Sequence, residues 1–190
     1  MSAGAPARAV LPDHVEVEGL QVRTWHEADV PALAEAIADS LEHLRPFMPW
    51  IAQEPLDDPA RAELVRGWEA DRLAGGDAMY GILRGTRVLG GAGAHRRIAA
   101  DGVEIGYWLR ADEARRGTMT RVVGALTSTL LAQPGITHVE IRTDAANLRS
   151  VAIPPRCGYR LVGPEPRTPQ APAETEWGLV WRIGASPAEG

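Results

Sequence analysis

The chain has 190 residues, 45% hydrophobic and 24% charged, the balance of an ordinary soluble globule and enough length for one domain to bury its own core. Its formal net charge of −5 argues against a nucleic-acid partner and mildly favours a cationic one such as an amine. Cys157 is the only cysteine, so no intramolecular disulfide can form and a reducing cytoplasm is the expected location; no apolar run approaches a membrane span and no leader pattern opens the chain.

In chain order, residues 1–12 are rich in Ala and Pro and read as loose, as does the tail over 185–190. Val15–Val17 and Leu20–Trp25 alternate like two strands about a turn at Gly19. Asp29 is placed to cap a helix through Ala38, with Val30, Leu33, Ala34 and Ile37 inward. The Pro46 and Pro49 segment reads as a loop. A second helix is predicted from Pro59 to Leu73, ended by Gly75-Gly76. Met79–Leu83 and Arg87–His95 form a hairpin about Gly85, followed by a central strand from Val103. A helix to Ala132 then carries Met119, Val122, Val123, Leu126 and Leu130 at three-to-four-residue spacing. Strand Val139–Thr143, a turn or helix at Asn147, and strands Gly158–Val162 and Trp177–Ile183 complete the order, with residues 164–175 as a loop. The result is one mixed α+β domain over residues 13–184, a sheet with helices on both faces and no internal repeat.

The most informative stretch is Val103–Arg110 followed by Arg115-Arg116-Gly117-Thr118-Met119-Thr120. It reads as a strand, a basic loop and a helix start. A helix N-terminus carries unpaired N–H groups and partial positive charge, and guanidinium groups pair well with phosphate oxygens. The spacing therefore predicts a diphosphate cradle. Every basic residue is arginine, with no lysine, which removes the Gly-Lys-Ser/Thr phosphate loop and Schiff-base chemistry. The rival run Gly90-Gly91-Ala92-Gly93 has no helical period behind it, so a bulge or close backbone approach is expected there. The five histidines lack metal-ligand spacing, one cysteine cannot complete a zinc site, and no Gly-x-Ser-x-Gly elbow occurs, so no metal is expected.

Glu104–Leu109 with Arg116–Arg121 resembles the acetyl-CoA-binding core of the GNAT N-acetyltransferase superfamily. Asn147-Leu148-Arg149-Ser150, then Cys157–Gly163, resembles the Asn-x-x-Ser helix and Gly-aromatic strand of its RimJ/RimL-type branch, the ribosomal-protein N-terminal acetyltransferases. Ser40–Trp50 is similar to the Leu-x-Pro-Trp-x-Pro-Trp segment of that branch. The three motifs run in family order over about Leu20 to Ile183. The resemblance implies a mostly antiparallel sheet splayed in its middle, and acetyl-CoA as co-substrate. It also implies direct transfer of acetyl to a primary amine, either a protein N-terminal α-amino group or a small molecule, with a homodimer possible.

By that resemblance Tyr107, Trp108, Leu109 and Arg110 contact the cofactor and the oxyanion through backbone N–H and C=O groups, a β-augmentation in physical terms. Arg115, Arg116, Gly117, Thr118, Met119 and Thr120 receive the diphosphate, and Asn147 positions the amide arm. Ala114 departs from the family's Arg or Gln, leaving Arg115 or Arg116 to supply the charge. Many relatives place a tyrosine where Pro154 stands, so Ser150 becomes the candidate donor to the leaving sulfur. For the base three carboxylates are open, Glu104 on the central strand and Glu174 or Glu176 near the last hairpin, beside a chain of waters with no dedicated residue. The Leu44–Trp50 loop, His43 and Trp177 are the expected acceptor walls. Ala114 and the Pro154-Pro155 pair also leave open a non-catalytic CoA-binding sensor.

Overall fold

The computed structural model describes residues 8–184. The first half of the chain contains β1 (His14–Val17), β2 (Leu20–Thr24), α1 (Val30–Ala38), α2 (Leu41–Leu44), α3 (Asp58–Leu73), β3 (Ala78–Arg84) and β4 (Arg87–His95). The second half contains β5 (Gly102–Leu109), α4 (Thr118–Leu131), β6 (His138–Asp144), α5 (Leu148–Val151), β7 (Arg160–Pro166) and β8 (Trp177–Gly184). The strands form one sheet in the order β1-β2-β3-β4-β5-β6-β8-β7. Every pairing is antiparallel except β5 with β6. The crossover between those two strands is α4, which a parallel connection requires.

The parallel pairing is short. Gly102, Val103 and Glu104 register with His138, Val139 and Glu140, and the ladder stops there. β5 runs on to Leu109 beside β4 alone, while β6 runs on beside β8. The sheet therefore opens into a wedge beyond Glu104, in agreement with the expected splay.

Each face of the sheet has its own core. On one face the α4 residues Met119, Val122, Val123, Leu126 and Leu130 pack with Val103, Ile105, Val139 and Ile141, all nearly free of solvent. Burial of one such leucine or valine contributes roughly 1.5–3 kcal/mol. On the other face, Val30, Leu33 and Ile37 of α1 and Val65 of α3 pack with Trp25, Leu83 and Val88. Gly90 and Gly91 lie where β4 crosses Trp108. A Cβ on Gly90 would fall on the Trp108 carbonyl oxygen, and one on Gly91 would lie 2.7 Å from its indole nitrogen. The glycine run is a close backbone approach and not a nucleotide loop.

Several local expectations change. Leu11 is 1% exposed, Arg72 donates to its carbonyl at 2.8 Å and Tyr80 Oη donates to that of Pro12 at 2.8 Å, so Leu11 and Pro12 are docked on the core and not loose. Residues 1–7 and 185–190 lie outside the described residues. Asp29 does not cap α1 through its side chain. Its carboxylate instead takes Arg23 at 2.7 and 2.9 Å and the His26 amide, a stronger charge-assisted demand than a helix amide offers. The Pro46–Pro49 segment is not plain loop, since α2 precedes it and a 3-10 turn, Pro49–Gln53, follows. β7 continues into the expected loop as far as Pro166.

Candidate active site

Gly117 is the N-cap of α4, its φ of 75° is left-handed, and no side chain caps this end. The first bond into the helix is Arg121 N to Gly117 O at 3.2 Å, so the amides of Thr118, Met119 and Thr120 precede the helix ladder. Arg115 also adopts a left-handed φ, 66°, the one non-glycine among the described residues to do so. That conformation costs about 1–2 kcal/mol and such strain gathers at functional sites. Arg115 and Arg116 are exposed, and neither ion-pairs with a carboxylate among the described residues.

A cleft of about 760 Å³ starts at this helix end. One wall is Ala114–Thr120 without Arg116; another is Asn147–Ser150 at α5; the third is Glu42–Met48 without Arg45, on and after α2; and the floor is Tyr107–Leu109. The strand's alternation decides which backbone groups face the wedge. Arg110 N donates to Leu89 O at 2.8 Å, so alternate residues, Trp108 included, turn their amides and carbonyls to β4. Tyr107 and Leu109 turn theirs to the wedge. The expectation that Trp108 and Arg110 offer backbone groups there is thus corrected. Trp108 lines the cleft with its indole, packed edge-on to Trp50 at 5.8 Å. Arg110 is buried with its guanidinium on Asp39 at 2.7 Å and Asp112 at 3.3 Å.

At the inner wall Asn147 Oδ1 accepts from Ser150 N at 3.3 Å, the local cap that an Asn at this position makes. Pro154 and Pro155 end α5 after one turn and form a 3-10 turn. A phenol nevertheless reaches Ser150. Ser150 Oγ donates to Tyr107 Oη at 3.1 Å, and Tyr107 Oη donates to the Ser150 carbonyl at 3.2 Å. Burial pushes the Tyr107 pKa well up, so the phenol stays protonated. The motif around Tyr107 points only to its backbone, because the proximity of residues 107 and 150 exists only in the fold.

Glu104 is not at the cleft. It is 6% exposed and its carboxylate takes Arg97 at 2.5 and 3.2 Å and Arg142 at 3.0 Å. Burial pushes its pKa up, but the two guanidinium groups outweigh that and hold it below the ordinary value. Such a carboxylate is a weak base with both oxygens engaged, so the expectation of Glu104 as base is corrected. Glu174 is likewise committed, to Arg167 at 2.6 Å and the amides of Gln170 and Ala171. Glu176 and Trp177 line a separate cleft with Pro166–Pro169, so Trp177 is not an acceptor wall of the main one. His43 does line it, accepting from Arg149 Nη1 at 3.1 Å in the neutral form. Burial first and the Arg149 charge second lower its pKa. Among the described residues no three His, Cys, Asp or Glu side chains are placed to hold a metal ion, and no helix is long and apolar enough to cross a membrane.

A helix end free of side-chain caps, beside a sheet edge opened by splaying, with hydroxyls on the inner wall, is the arrangement that the resemblance to acyl-CoA-dependent transferases implies. The family described as the acetyltransferase (GNAT) domain matches residues 20–160. The chain belongs to that family, and is an acetyltransferase with acetyl-CoA as its co-substrate. A search of the curated proteins found no match. Among solved structures, the fold is similar to RimL, the ribosomal L7/L12 α-N-protein acetyltransferase in complex with coenzyme A. That likeness has a TM-score of 0.81 at 21% identity, over 90% of this chain and 97% of that one. The microcin C7 self-immunity acetyltransferase MccE, in complex with acetyl-CoA and AMP, gives 0.79 at 17% identity, over 95% and 98%. RimJ of Mycobacterium smegmatis, in complex with CoA-disulfide, gives 0.76 at 18% identity, over 93% and 88%.

Proposed function

We propose that the protein transfers acetyl from acetyl-CoA directly to a primary amine, a protein N-terminal α-amino group or a small-molecule amine. The observation that carries this reading is the continuity of the cleft. It runs from the first turn of α4, past Tyr107–Leu109, to the α2 wall, so a donor and an acceptor entering from opposite sides meet at the wedge.

The residues fit the co-substrate. The amides of Thr118, Met119 and Thr120, beside Gly117, Arg115 and Arg116, form a concave donor set for a diphosphate. The backbone groups of Tyr107 and Leu109 that face the wedge serve an amide-bearing arm as an added strand would. Asn147 spends its oxygen on Ser150 N, which leaves its amide hydrogens for the same arm. When bound, acetyl-CoA supplies an acyl carbon activated by a thiolate leaving group.

Ser150, which lines the cleft, is the donor to the departing sulfur in this reading. Phe47, Met48 and Trp108 line the cleft on the α2 side and would give the acceptor half an apolar wall. With Glu104 and Glu174 both committed to arginines, the acceptor's proton leaves through water, and the amine attacks in its neutral form.

The test is thiol release from acetyl-CoA, followed with DTNB, across a panel of small amines and peptides with free N-termini. Amine-dependent release supports transfer and names the acceptor class. Tight CoA binding with no release on any acceptor would make the protein a sensor.

A further inference from the structure

The contact between Tyr107 and Ser150 joins side chains 43 residues apart, and both line the cleft. Its hydrogen-bond pattern is a chain. The Ser150 hydroxyl spends its proton on Tyr107, and Tyr107 spends its own on the Ser150 carbonyl. A lone serine serving as proton donor would break its bond to the phenol and leave that oxygen short of a partner. With the phenol behind it, each hydroxyl can turn one step and remain paired.

We propose that Tyr107 and Ser150 work as a two-hydroxyl proton relay, with Ser150 facing the leaving sulfur and Tyr107 behind it as the proton reservoir. This inference rests on the acyl-transfer reading above. As the amine nitrogen bonds to the thioester carbon and the carbon–sulfur bond breaks, that bond's electron pair goes to sulfur. The Ser150 O–H turns from Tyr107 to the sulfur and gives up its proton. The Tyr107 O–H turns from the Ser150 carbonyl to Ser150 Oγ and restores the serine. The phenolate is then reprotonated by the proton that the new amide nitrogen sheds, delivered through water. The products are a free thiol and an amide, with no other reactant needed. Because burial raises the phenol's pKa, the relay is fully protonated at neutral pH before each turnover. The other nucleophile nearby, Cys157, has its thiol turned to the Thr120 carbonyl at 3.4 Å and stands outside the cleft lining.

The experiment measures kcat and KM for wild type, Tyr107→Phe, Ser150→Ala and the double variant with a good amine acceptor, and CoA-induced thermal shifts for each. A relay predicts that Tyr107→Phe lowers kcat on the order of 10²-fold with KM for acetyl-CoA within about twofold. The double variant should be no slower than Ser150→Ala alone, because the two residues act as a unit. Independent, multiplying losses, or an unchanged kcat in Tyr107→Phe, overturn the relay. A wild type that releases no thiol on any acceptor overturns the transfer reading itself, whereas a working wild type with an indifferent Tyr107 overturns the relay alone.

Discussion

Gly117 meets two demands with one atom fewer. Its φ of 75° disfavours any side chain, yet a Cβ built there touches nothing within 4 Å, so the space beside it is open. Gly117→Ala should cost about 1–2 kcal/mol of stability through the backbone alone and change CoA affinity little. Gly117→Glu should carry the same backbone cost and also weaken CoA binding at least about tenfold, by setting a carboxylate against the diphosphate. Isothermal titration of both variants checks this, and equal affinities would put the diphosphate elsewhere. Single residues also mark where sequence reading stopped. The motif around Ser150 was legible, but Tyr107's phenol was not, since a hydroxyl's partner is a matter of distance. Glu104 was misread because alternation along β5 assigns a face but does not reveal that Arg97 and Arg142 occupy it.

α4 is the element most readable in the sequence, because one helix side buries Met119, Val122, Val123, Leu126 and Leu130 and the 3.6-residue period records that burial. The wedge between β5 and β6 is the least readable. It depends on where a three-residue parallel register ends, and register is set by packing across strands. Just before the opening lies the ion-pair cluster of Glu104 with Arg97 and Arg142, extended by Arg142 to Glu140 and Glu165 at 2.9 and 3.0 Å. The Glu104 pKa is depressed in the fold from an ordinary 4.5. Its stabilisation is therefore complete above that value and is lost as pH falls below 4.5 through the folded one. Melting temperature measured against pH should drop along this limb in the wild type. Glu104→Gln should be less stable near neutrality, leaving Arg97 without its buried partner, and should converge on the wild type in acid. Parallel curves would show that Glu104 carries no such linkage.

Across the whole molecule the charge is unevenly placed. The chain is acidic at −5, yet Arg115, Arg149 and Arg156 line the cleft and none of them ion-pairs with a carboxylate among the described residues. Eleven other arginines, from Arg23 to Arg182, sit within 3.4 Å of a carboxylate. Three guanidinium groups free of ion pairs in one concavity, whose lining carboxylates Glu42 and Glu113 pair with other arginines, favour a polyanionic ligand. CoA at about a hundredfold over its Kd should add about 2.7 kcal/mol and raise the melting temperature by roughly 5–10 °C for a chain of this size. Added salt should shrink that shift as it screens the phosphates. No shift at any CoA concentration would remove the cofactor reading of the cleft.

Periodicity, turn residues and three ordered motifs were enough to determine the mixed sheet, the order of its elements and the start of α4, because each of these is written in residues close together along the chain. Only the tertiary structure decided which backbone groups face the wedge, that Glu104 is held between two arginines, that Trp177 belongs to another cleft and that Tyr107 touches Ser150. Those are relations between distant segments, set by strand register and by the packing of α4 and α5 against the sheet, and no local pattern encodes a distance of 3 Å across 43 residues of chain.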